Sequence, residues 1–154
     1  MSKINKYNAL FLDRDGIINK LVNNRPPWSP SEIIIYPEAH KIINLSLKKN
    51  YIPVIVTNQP DAGRGKLSFE MINKINKIIC EKVNIKESYI CMHPYDGLCD
   101  CRKPKPGMLL NASAENSIIL KESFMIGDRD KDIQAGIAAG CKTIFLSRNI
   151  NNHA

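Results

Sequence analysis

Residues 9–17, ALFLDRDGI, place two carboxylates, Asp13 and Asp15, directly after a short apolar run. The run is continuously apolar, which is typical of a strand buried on both faces of a parallel sheet. Ligands bind at the carboxyl ends of such strands, where a carboxylate pair can supply a nucleophile or metal ligand and an acid/base. Aspartate and glycine are also common in ordinary turns. The stretch therefore predicts a buried first strand and leaves the role of the two carboxylates open.

The rest of the chain alternates between strand and helix patterns. The predicted strands cover residues 9–12, 51–57, 88–92, 123–126 and 143–146, and the predicted helices cover residues 37–49, 68–83, 107–116 and 130–139. This alternation is typical of a mainly parallel sheet with helices on both faces. The sequence has no internal repeat, low-complexity tract or linker. We therefore predict a single three-layer α/β/α, Rossmann-like domain over residues 1–154.

The composition limits the class of protein. Charged residues make up 24% and hydrophobic residues 44% of the chain, which is typical of a soluble globular protein. No apolar run reaches membrane-spanning length and the N-terminus lacks a signal-peptide core, so we expect a cytoplasmic protein with no membrane partner. The net charge of +7 suits an anionic ligand, which could be nucleic acid, an acidic surface or a phosphorylated metabolite. No arginine-rich stripe with interleaved aromatics is present, which favours the metabolite over nucleic acid.

Polar clusters follow each of the first four predicted strands. Asp13 follows the first strand, Thr57 ends the second, a Cys/His segment and Lys103 follow the third, and Asp128 follows the fourth. The carboxyl ends of parallel strands lie at one edge of a sheet, so we expect these four clusters to converge. One composite site explains this arrangement better than four independent turns.

Such a site would have the groups that phosphoryl transfer needs. Asp13, Asp15 and Asp128 offer the hard oxygen ligands that Mg²⁺ prefers. One aspartate could attack phosphorus, while a second protonates the leaving oxygen and then activates water. The oxygens of the phosphoryl group could be bound by a hydroxyl, an amide and a fixed cation, from Thr57, Asn58 and Lys103.

Three of the five cysteines lie within eleven residues and share that segment with a histidine. An odd number of cysteines without a secretory signal argues against a disulfide framework. Three thiolates and one imidazole form a closed tetrahedral ligand set for structural Zn²⁺, from Cys91, His93, Cys99 and Cys101. The alternative is a group of reduced cysteines beside an unrelated histidine. Bound zinc would hold a loop with few apolar residues and would position the residues that follow it, Arg102 and Lys103.

The four clusters resemble, in order, the four motifs of haloacid-dehalogenase-type phosphatases. The matching residues are DRDG at 13–16, TNQ at 57–59, Lys103, and GDRD at 127–130. The resemblance implies that Asp13 is the nucleophile, that Asp15 is the general acid/base, and that Thr57 and Lys103 stabilise the phosphoryl group. It also implies that Mg²⁺ is bound by Asp13, the backbone carbonyl of Asp15, and Asp128.

The Cys/His segment and the following RKPKPG at 102–107, together with TNQ at 57–59 and RG at 64–65, are similar to one branch of this superfamily. That branch comprises the D-glycero-D-manno-heptose-1,7-bisphosphate 7-phosphatases and the histidinol-phosphate phosphatases. The resemblance implies a heptose bisphosphate as substrate, with histidinol phosphate or another small phosphosugar as alternatives, and substrate contacts from Asn58, Gln59 and Arg102. The loop between His93 and Cys99 is short, as in the histidinol phosphatases. Residues 25–28, RPPW, do not match the substrate loop of either group.

Residues 16–38 are too few for the cap domain that covers the site in many members of this superfamily, and the other usual cap position holds the Cys/His segment. We therefore expect an open site, edged by residues 19–28 and by the Cys/His loop. We also expect the protein to be a monomer. A zinc-stabilised nucleic-acid-binding module is the alternative from another class of protein. The aspartate and lysine set argues against it, because a binding module needs no nucleophile.

Three further features have two interpretations each. Trp28 could stack on a sugar or pack against the sheet edge, and packing is favoured. Arg64 could contact a distal phosphate or belong to a structural bend. Asp130 fits a helix N-cap and Asp132 the first helical turn, from which Asp132 could also support a metal ligand.

Overall fold

The structure, a computed structural model, describes residues 4–94 and 98–148. Its five strands form one sheet in which every paired neighbour is parallel, in the order β3-β2-β1-β4-β5. The strands are β1 (Asn8–Leu12), β2 (Tyr51–Asn58), β3 (Glu87–Cys91), β4 (Phe124–Gly127) and β5 (Lys142–Phe145). All five strands predicted from the sequence are present, and each bound differs by no more than one residue. The α/β fold class is confirmed.

Four α-helices connect the strands and cover the sheet. They are α1 (Pro37–Lys48), α2 (Phe69–Val83), α3 (Gly107–Asn116) and α4 (Asp130–Ala139). Ser68 caps α2, because its hydroxyl accepts the backbone N–H of Met71 at 3.1 Å. Gly140 ends α4 in the left-handed conformation, with φ of 89°. The described residues contain no inserted cap domain and no helix long and apolar enough to cross a membrane.

The core has two layers because residues of β1 alternate between the two faces of the sheet. Ala9 and Phe11 pack into the layer that includes α3 and α4 residues, whereas Leu10 and Leu12 pack into the layer that includes α1 and α2 residues. The four side chains are buried, so the central strand is covered on both faces. This explains why its sequence is continuously apolar rather than alternating.

The register of the strands brings their carboxyl ends to one edge. Leu12 pairs with Ile55 of β2 and with Ile126 of β4. The backbone N–H of Asp13 then donates to Ile126 at 3.0 Å, which fixes the start of the loop after β1 beside the end of β4. The convergence of the polar clusters expected from the sequence therefore follows from the sheet topology.

Candidate active site

Three carboxylates meet at the carboxyl edge of the sheet. Oxygens of Asp13, Asp128 and Asp132 all lie within 4.8 Å of one another. Asp13 directly follows β1, Asp128 directly follows β4, and Asp132 lies in the first turn of α4. The sequence predicted Asp13, Asp15 and Asp128 as the acidic set. The structure brings Asp13 and Asp128 together with Asp132, while the carboxylate of Asp15 is not part of this group.

The ammonium group of Lys103 lies within this acidic cluster. Lys103 is only 1% exposed, and its Nζ donates to Oδ1 of Asp13 and to Oδ1 of Asp132, both at 2.7 Å. A third bond, at 2.9 Å, goes to the carbonyl of Val56 in β2. All three ammonium hydrogens therefore have acceptors, and the side chain is fixed between two carboxylates.

Burial shifts the protonation of the cluster. It raises the pKa of Asp13 to about 6; the Lys103 ammonium opposes this shift and the Asp132 carboxylate adds to it. Burial and Asp132 also raise the pKa of Asp128. Burial alone would lower the pKa of Lys103, but Asp13 and Asp132 outweigh it and hold the pKa above its usual value. The cluster thus has three carboxylates and one ammonium that bonds to two of them, and the remaining negative charge favours a further cation.

The residues of the cluster fit a divalent cation such as Mg²⁺. The Oδ1 atom of Asp128 is buried and has no hydrogen-bond partner among the described residues, although a buried carboxylate oxygen normally has one. Gly16, with φ of 90°, lies against this carboxylate so closely that a Cβ would collide with Oδ2 of Asp128. Mg²⁺ prefers oxygen ligands, so a cluster of carboxylate oxygens, one of them without a partner, fits this ion.

Asp132 joins α4 to the site. Its Oδ2 accepts the backbone N–H of Arg129 at 3.2 Å while its Oδ1 accepts from Lys103. Arg129 is the N-cap residue of α4 and Asp130 is its first residue, so the predicted N-cap was wrong by one position. Asp132 was named in the sequence only as a residue that could support a metal ligand. The signal that marks it is its place three residues after the cap, where an acidic side chain reaches back to the N-cap backbone.

Asp15 is held by donors from several side chains. Its Oδ1 accepts from Arg14 Nη2 at 3.0 Å and from Asn19 Nδ2 at 2.9 Å, and its Oδ2 accepts from Gln59 Nε2 at 2.6 Å. Arg14 is 1% exposed and also bonds to Asn76 in α2. The carboxylate of Asp15 is therefore oriented from both the β1 loop and the end of β2.

Gln59 and Asn58, at the end of β2, make hydrogen bonds to different parts of the site. Gln59 is 3% exposed, and the same amide that bonds to Asp15 donates to Oγ1 of Thr57 at 2.9 Å. Asn58 donates to the carbonyl of Lys103 at 3.1 Å and accepts its backbone N–H at 3.0 Å. In this structure Gln59 orients Thr57 and Asp15, and Asn58 holds the backbone of Lys103. Their contact with substrate stays a prediction.

The four predicted zinc ligands also come together. Their ligand atoms lie within 4.8 Å of one another, and no disulfide forms among the described residues. The Sγ atoms of Cys91 and Cys99 are 3.8 Å apart, and His93 Nδ1 lies 3.4 Å from Cys91 Sγ and 3.2 Å from Cys101 Sγ. Thiolates bound to one tetrahedral Zn²⁺ lie about 3.8 Å apart, given Zn–S bonds of about 2.3 Å. The Sγ atoms of Cys91 and Cys101 are closer, at 2.9 Å, and would have to move apart by about 1 Å to bind the same ion. With that adjustment, three sulfurs and one imidazole are the ligand set of a closed Zn²⁺ site.

A cavity of about 310 Å³ opens onto Asp13 and Asp15. Its walls come from the loop after β1, from the loop after β2, and from the start of α4. The lining residues are Asp13, Asp15, Leu21, Asn24, Arg25, Pro26, Trp28, Asn58, Pro60, Asp61, Arg64, Lys66, Arg129 and Lys131. Five of these side chains are basic and three are acidic, which suits an anionic ligand.

The Cys/His loop was expected to edge this cavity, and for the part of it that the structure describes this expectation is wrong. None of its described residues lines the cavity. The reason is the loop after β2, which packs directly on the start of the Cys/His segment: a Cβ on Gly63 would lie 2.6 Å from Pro94 Cδ and 2.9 Å from the carbonyl of Met92. Arg102 donates to the carbonyl of Pro94 at 2.9 Å and does not line the cavity, so its contact with substrate stays a prediction.

Comparison with known proteins agrees with the fold and shows the family. The family model described as HAD-hydrolase-like matches residues 100–154. The D-glycero-beta-D-manno-heptose-1,7-bisphosphate 7-phosphatase of Helicobacter pylori is 32% identical over 149 residues, which cover 93% of this chain and 85% of that protein. The D-glycero-alpha-D-manno-heptose-1,7-bisphosphate 7-phosphatase of Campylobacter jejuni is 36% identical, covering 92% of this chain and 83% of that protein.

A solved structure has the same architecture. The D,D-heptose 1,7-bisphosphate phosphatase of B. bronchiseptica, complexed with magnesium and phosphate, superimposes with a TM-score of 0.80 at 28% identity, covering 88% of this chain and 78% of that chain. The chain belongs to the haloacid-dehalogenase-like phosphatases, in the branch that contains these heptose-bisphosphate phosphatases. It is a phosphoric monoester hydrolase.

Proposed function

We propose that this protein is a Mg²⁺-dependent phosphatase that removes the 7-phosphate of D-glycero-D-manno-heptose 1,7-bisphosphate through an aspartyl-phosphate on Asp13. The observation that carries the proposal is the contact between Asp13 and Lys103, a carboxylate at the cavity held 2.7 Å from a buried ammonium. The names of the relatives at 32% and 36% identity support the substrate.

The proposed reaction has two steps. Asp13 attacks phosphorus, the bond from phosphorus to the sugar oxygen breaks, and Asp15 gives its proton to that oxygen. Asp15 then takes a proton from water, which attacks phosphorus, breaks the bond to Asp13 and releases inorganic phosphate. Lys103 and Thr57 stabilise the negative charge on the phosphoryl oxygens. To reach the leaving oxygen, the Asp15 carboxylate exchanges one of its present donors, such as Gln59, for the substrate.

The acidic cluster would hold the metal through Asp13, Asp128 and the backbone carbonyl of Asp15, with Asp132 behind it on Lys103. Bound Mg²⁺ would supply the positive charge that lets an anionic nucleophile approach an anionic phosphate. Burial, with the Asp132 carboxylate adding to it, raises the pKa values of Asp13 and Asp128, and a bound cation would offset this cost of ionising them.

We further propose that Cys91, His93, Cys99 and Cys101 bind a structural Zn²⁺. Four protein ligands would leave no open position for catalysis, so the metal would stabilise the loop and the backbone that leads to Lys103. We also propose that residues 1–154 form one domain, that the protein is a cytoplasmic monomer, and that neither nucleic acid nor membrane is a partner.

A side-by-side assay tests the substrate. Heptose 1,7-bisphosphate, heptose 1-phosphate and histidinol phosphate are each incubated with the protein and Mg²⁺, and the products are identified by phosphorus NMR. We expect the highest kcat/KM for the bisphosphate, with heptose 1-phosphate as the product. A higher kcat/KM for histidinol phosphate would move the protein to the other group of this branch, and salt-dependent DNA binding without phosphatase activity would contradict an enzymatic function.

A further inference from the structure

Two loops meet in one part of the cavity wall, at Trp28, which belongs to the stretch 25–28 that matches no substrate loop of the family. The indole Nε1–H of Trp28 donates to Oδ2 of Asp61 at 3.0 Å. This bond joins the loop before α1 to the loop after β2, and both residues line the same cavity as Asp13. Packing against a sheet edge, the interpretation favoured from the sequence, does not describe this position.

The Trp28 ring is fixed by further contacts within its own loop. The Arg25 guanidinium lies 3.9 Å from the ring centroid. Arg25 in turn donates to both carboxylate oxygens of Glu32, each at 2.9 Å, and the backbone N–H of Trp28 donates to Glu32 at 2.7 Å. A bidentate pair of this kind fixes the geometry of both partners. The ring therefore has a defined orientation before a ligand arrives, so little conformational entropy is lost at this surface on binding.

The charges in this part of the wall are compensated. Glu32 neutralises Arg25, and Asp61 lies 3.7 Å from the Arg64 guanidinium. The surface is thus an aromatic ring with hydrogen-bonding groups at its edge, a combination that suits the carbon skeleton and hydroxyls of a polar ligand. Positive charge for phosphate comes from the other lining cations, Lys66, Arg129 and Lys131.

We propose that Trp28 determines substrate specificity. Its indole, supported by Arg25 and tied to Asp61, is the surface against which the hydroxyl-rich carbon skeleton of a sugar bisphosphate lies while one phosphate reaches Asp13. This inference rests on the proposed function, because it assigns recognition of the sugar within that same site. It gives residues 25–28 a role that a substrate without a sugar skeleton would not use.

Two substitutions test this role. Trp28→Leu removes the ring and its N–H, whereas Trp28→Phe keeps a smaller aromatic ring and removes the bond to Asp61. The values of kcat and KM are measured for heptose 1,7-bisphosphate and for p-nitrophenyl phosphate, which delivers a phosphate without a sugar. We expect Trp28→Leu to lower kcat/KM about tenfold more for the bisphosphate than for p-nitrophenyl phosphate, mainly through KM, and Trp28→Phe to show a smaller selective loss.

The matched control is Phe69→Leu, which changes an exposed aromatic at the start of α2 that does not line this cavity. Phe69→Leu should leave kcat and KM for both substrates unchanged. Equal losses on the two substrates in both Trp28 variants would mean that Trp28 only supports the fold, and unchanged kinetics in both would mean that it does not meet the substrate. Either result overturns the proposal.

A wrong choice of sugar in the proposed function gives a different result. The wild-type protein would then hydrolyse p-nitrophenyl phosphate but not heptose 1,7-bisphosphate. In that case kcat/KM is measured for fructose 1,6-bisphosphate and compared with kcat/KM for p-nitrophenyl phosphate. A larger loss for the sugar bisphosphate in Trp28→Leu supports the role of Trp28 whatever the natural sugar. A wild-type protein that turns over no sugar bisphosphate overturns both the proposed function and the role of Trp28.

Discussion

Asn58 holds the backbone of Lys103 with both ends of its side-chain amide, at 3.0 Å to the N–H and 3.1 Å to the carbonyl. The two residues are 45 positions apart, so this bond pair joins the end of β2 to the segment that follows the Cys/His cluster. The tip of Lys103 is held separately by Asp13 and Asp132. The position of the buried ammonium therefore depends on anchors at both the backbone and the tip of the side chain.

Replacing Asn58 should impair catalysis more than it impairs folding. Asn58→Ala leaves two backbone groups of Lys103 without their partners, which should lower the free energy of unfolding by about 1–3 kcal/mol. We expect kcat to fall about 10–100-fold, as is usual when a residue that positions a catalytic group is removed. Asn116→Ala, in α3, removes an amide that also bonds to a backbone carbonyl, and it serves as the control in unfolding and turnover measurements. Similar kcat values for Asn58→Ala and wild type would contradict the positioning role.

Removing zinc should also weaken catalysis, because it releases the segment that leads to the backbone of Lys103. Cys101 is two residues before Lys103, so loss of the metal or Cys101→Ser should lower stability and reduce kcat, while Asn58 still holds part of the segment. The double variant Asn58→Ala, Cys101→Ser should therefore lose more kcat than the sum of the two single losses on a logarithmic scale. Cys80→Ser, outside the cluster, is the control for zinc content and kinetics. Unchanged kinetics in metal-free protein would refute the coupling.

Gly16→Ala should act on the site through Asp128. The added Cβ would collide with Oδ2 of Asp128, and φ of 90° is unfavourable for alanine by about 1 kcal/mol. Gly140→Ala is a close control, because its φ is 89° and nothing lies within 4 Å of the added Cβ. We expect the unfolding free energy to fall by about 1 kcal/mol in Gly140→Ala and by more in Gly16→Ala, which adds the collision. We expect a loss of Mg²⁺ affinity, measured by the Mg²⁺ dependence of turnover, for Gly16→Ala alone. Equal Mg²⁺ dependence in the two variants would argue against Asp128 as a ligand.

The stability that the loop carrying Trp28 contributes should depend on pH, because Glu32 titrates. The hydrogen bonds from Arg25 and from the Trp28 backbone lower the pKa of Glu32 from 4.5 to about 2. A lowered pKa in the folded state means that this interaction stabilises the protein fully above pH 4.5 and is lost as the pH falls toward 2. The difference in unfolding free energy between wild type and Glu32→Gln should therefore shrink across that window.

The weaker pair Glu38–Arg148, at 4.0 Å, provides the comparison. Glu38→Gln should change stability less than Glu32→Gln at neutral pH, because an exposed pair at this distance contributes little. A stability difference for Glu32→Gln that is constant from pH 2 to 6 would contradict the role of the Arg25 contact.

The fold was predictable because its signals are local. A run such as 9–12, apolar at every position, indicates a strand buried on both faces, and the spacing of isoleucines in α2 indicates one buried helix face. Parallel topology then brings Asp13, Lys103 and Asp128 to one edge without further information. The cysteine and histidine spacing likewise identified a set of side chains that does converge.

The remaining features of the site depend on contacts that no local pattern encodes. Asp132 rather than the Asp15 carboxylate joins Asp13 and Asp128, because the first turn of α4 directs it at Lys103 while Arg14 and Gln59 turn Asp15 aside. The Cys/His segment is separated from the cavity because the loop at Gly63 packs on it. Such outcomes are decided by side-chain direction and loop packing, which the spacing of residue types does not determine.

The most direct test of the central proposal is the turnover of Asp13→Asn. The substitution keeps the shape of the side chain and removes the nucleophilic carboxylate, so kcat for heptose 1,7-bisphosphate should fall about a thousandfold or more while the far-UV circular dichroism spectrum is unchanged. Acid-quenched wild-type protein should carry a phosphoryl group on Asp13 that Asp13→Asn lacks. Turnover of Asp13→Asn at the wild-type rate would contradict the assignment of Asp13 as nucleophile.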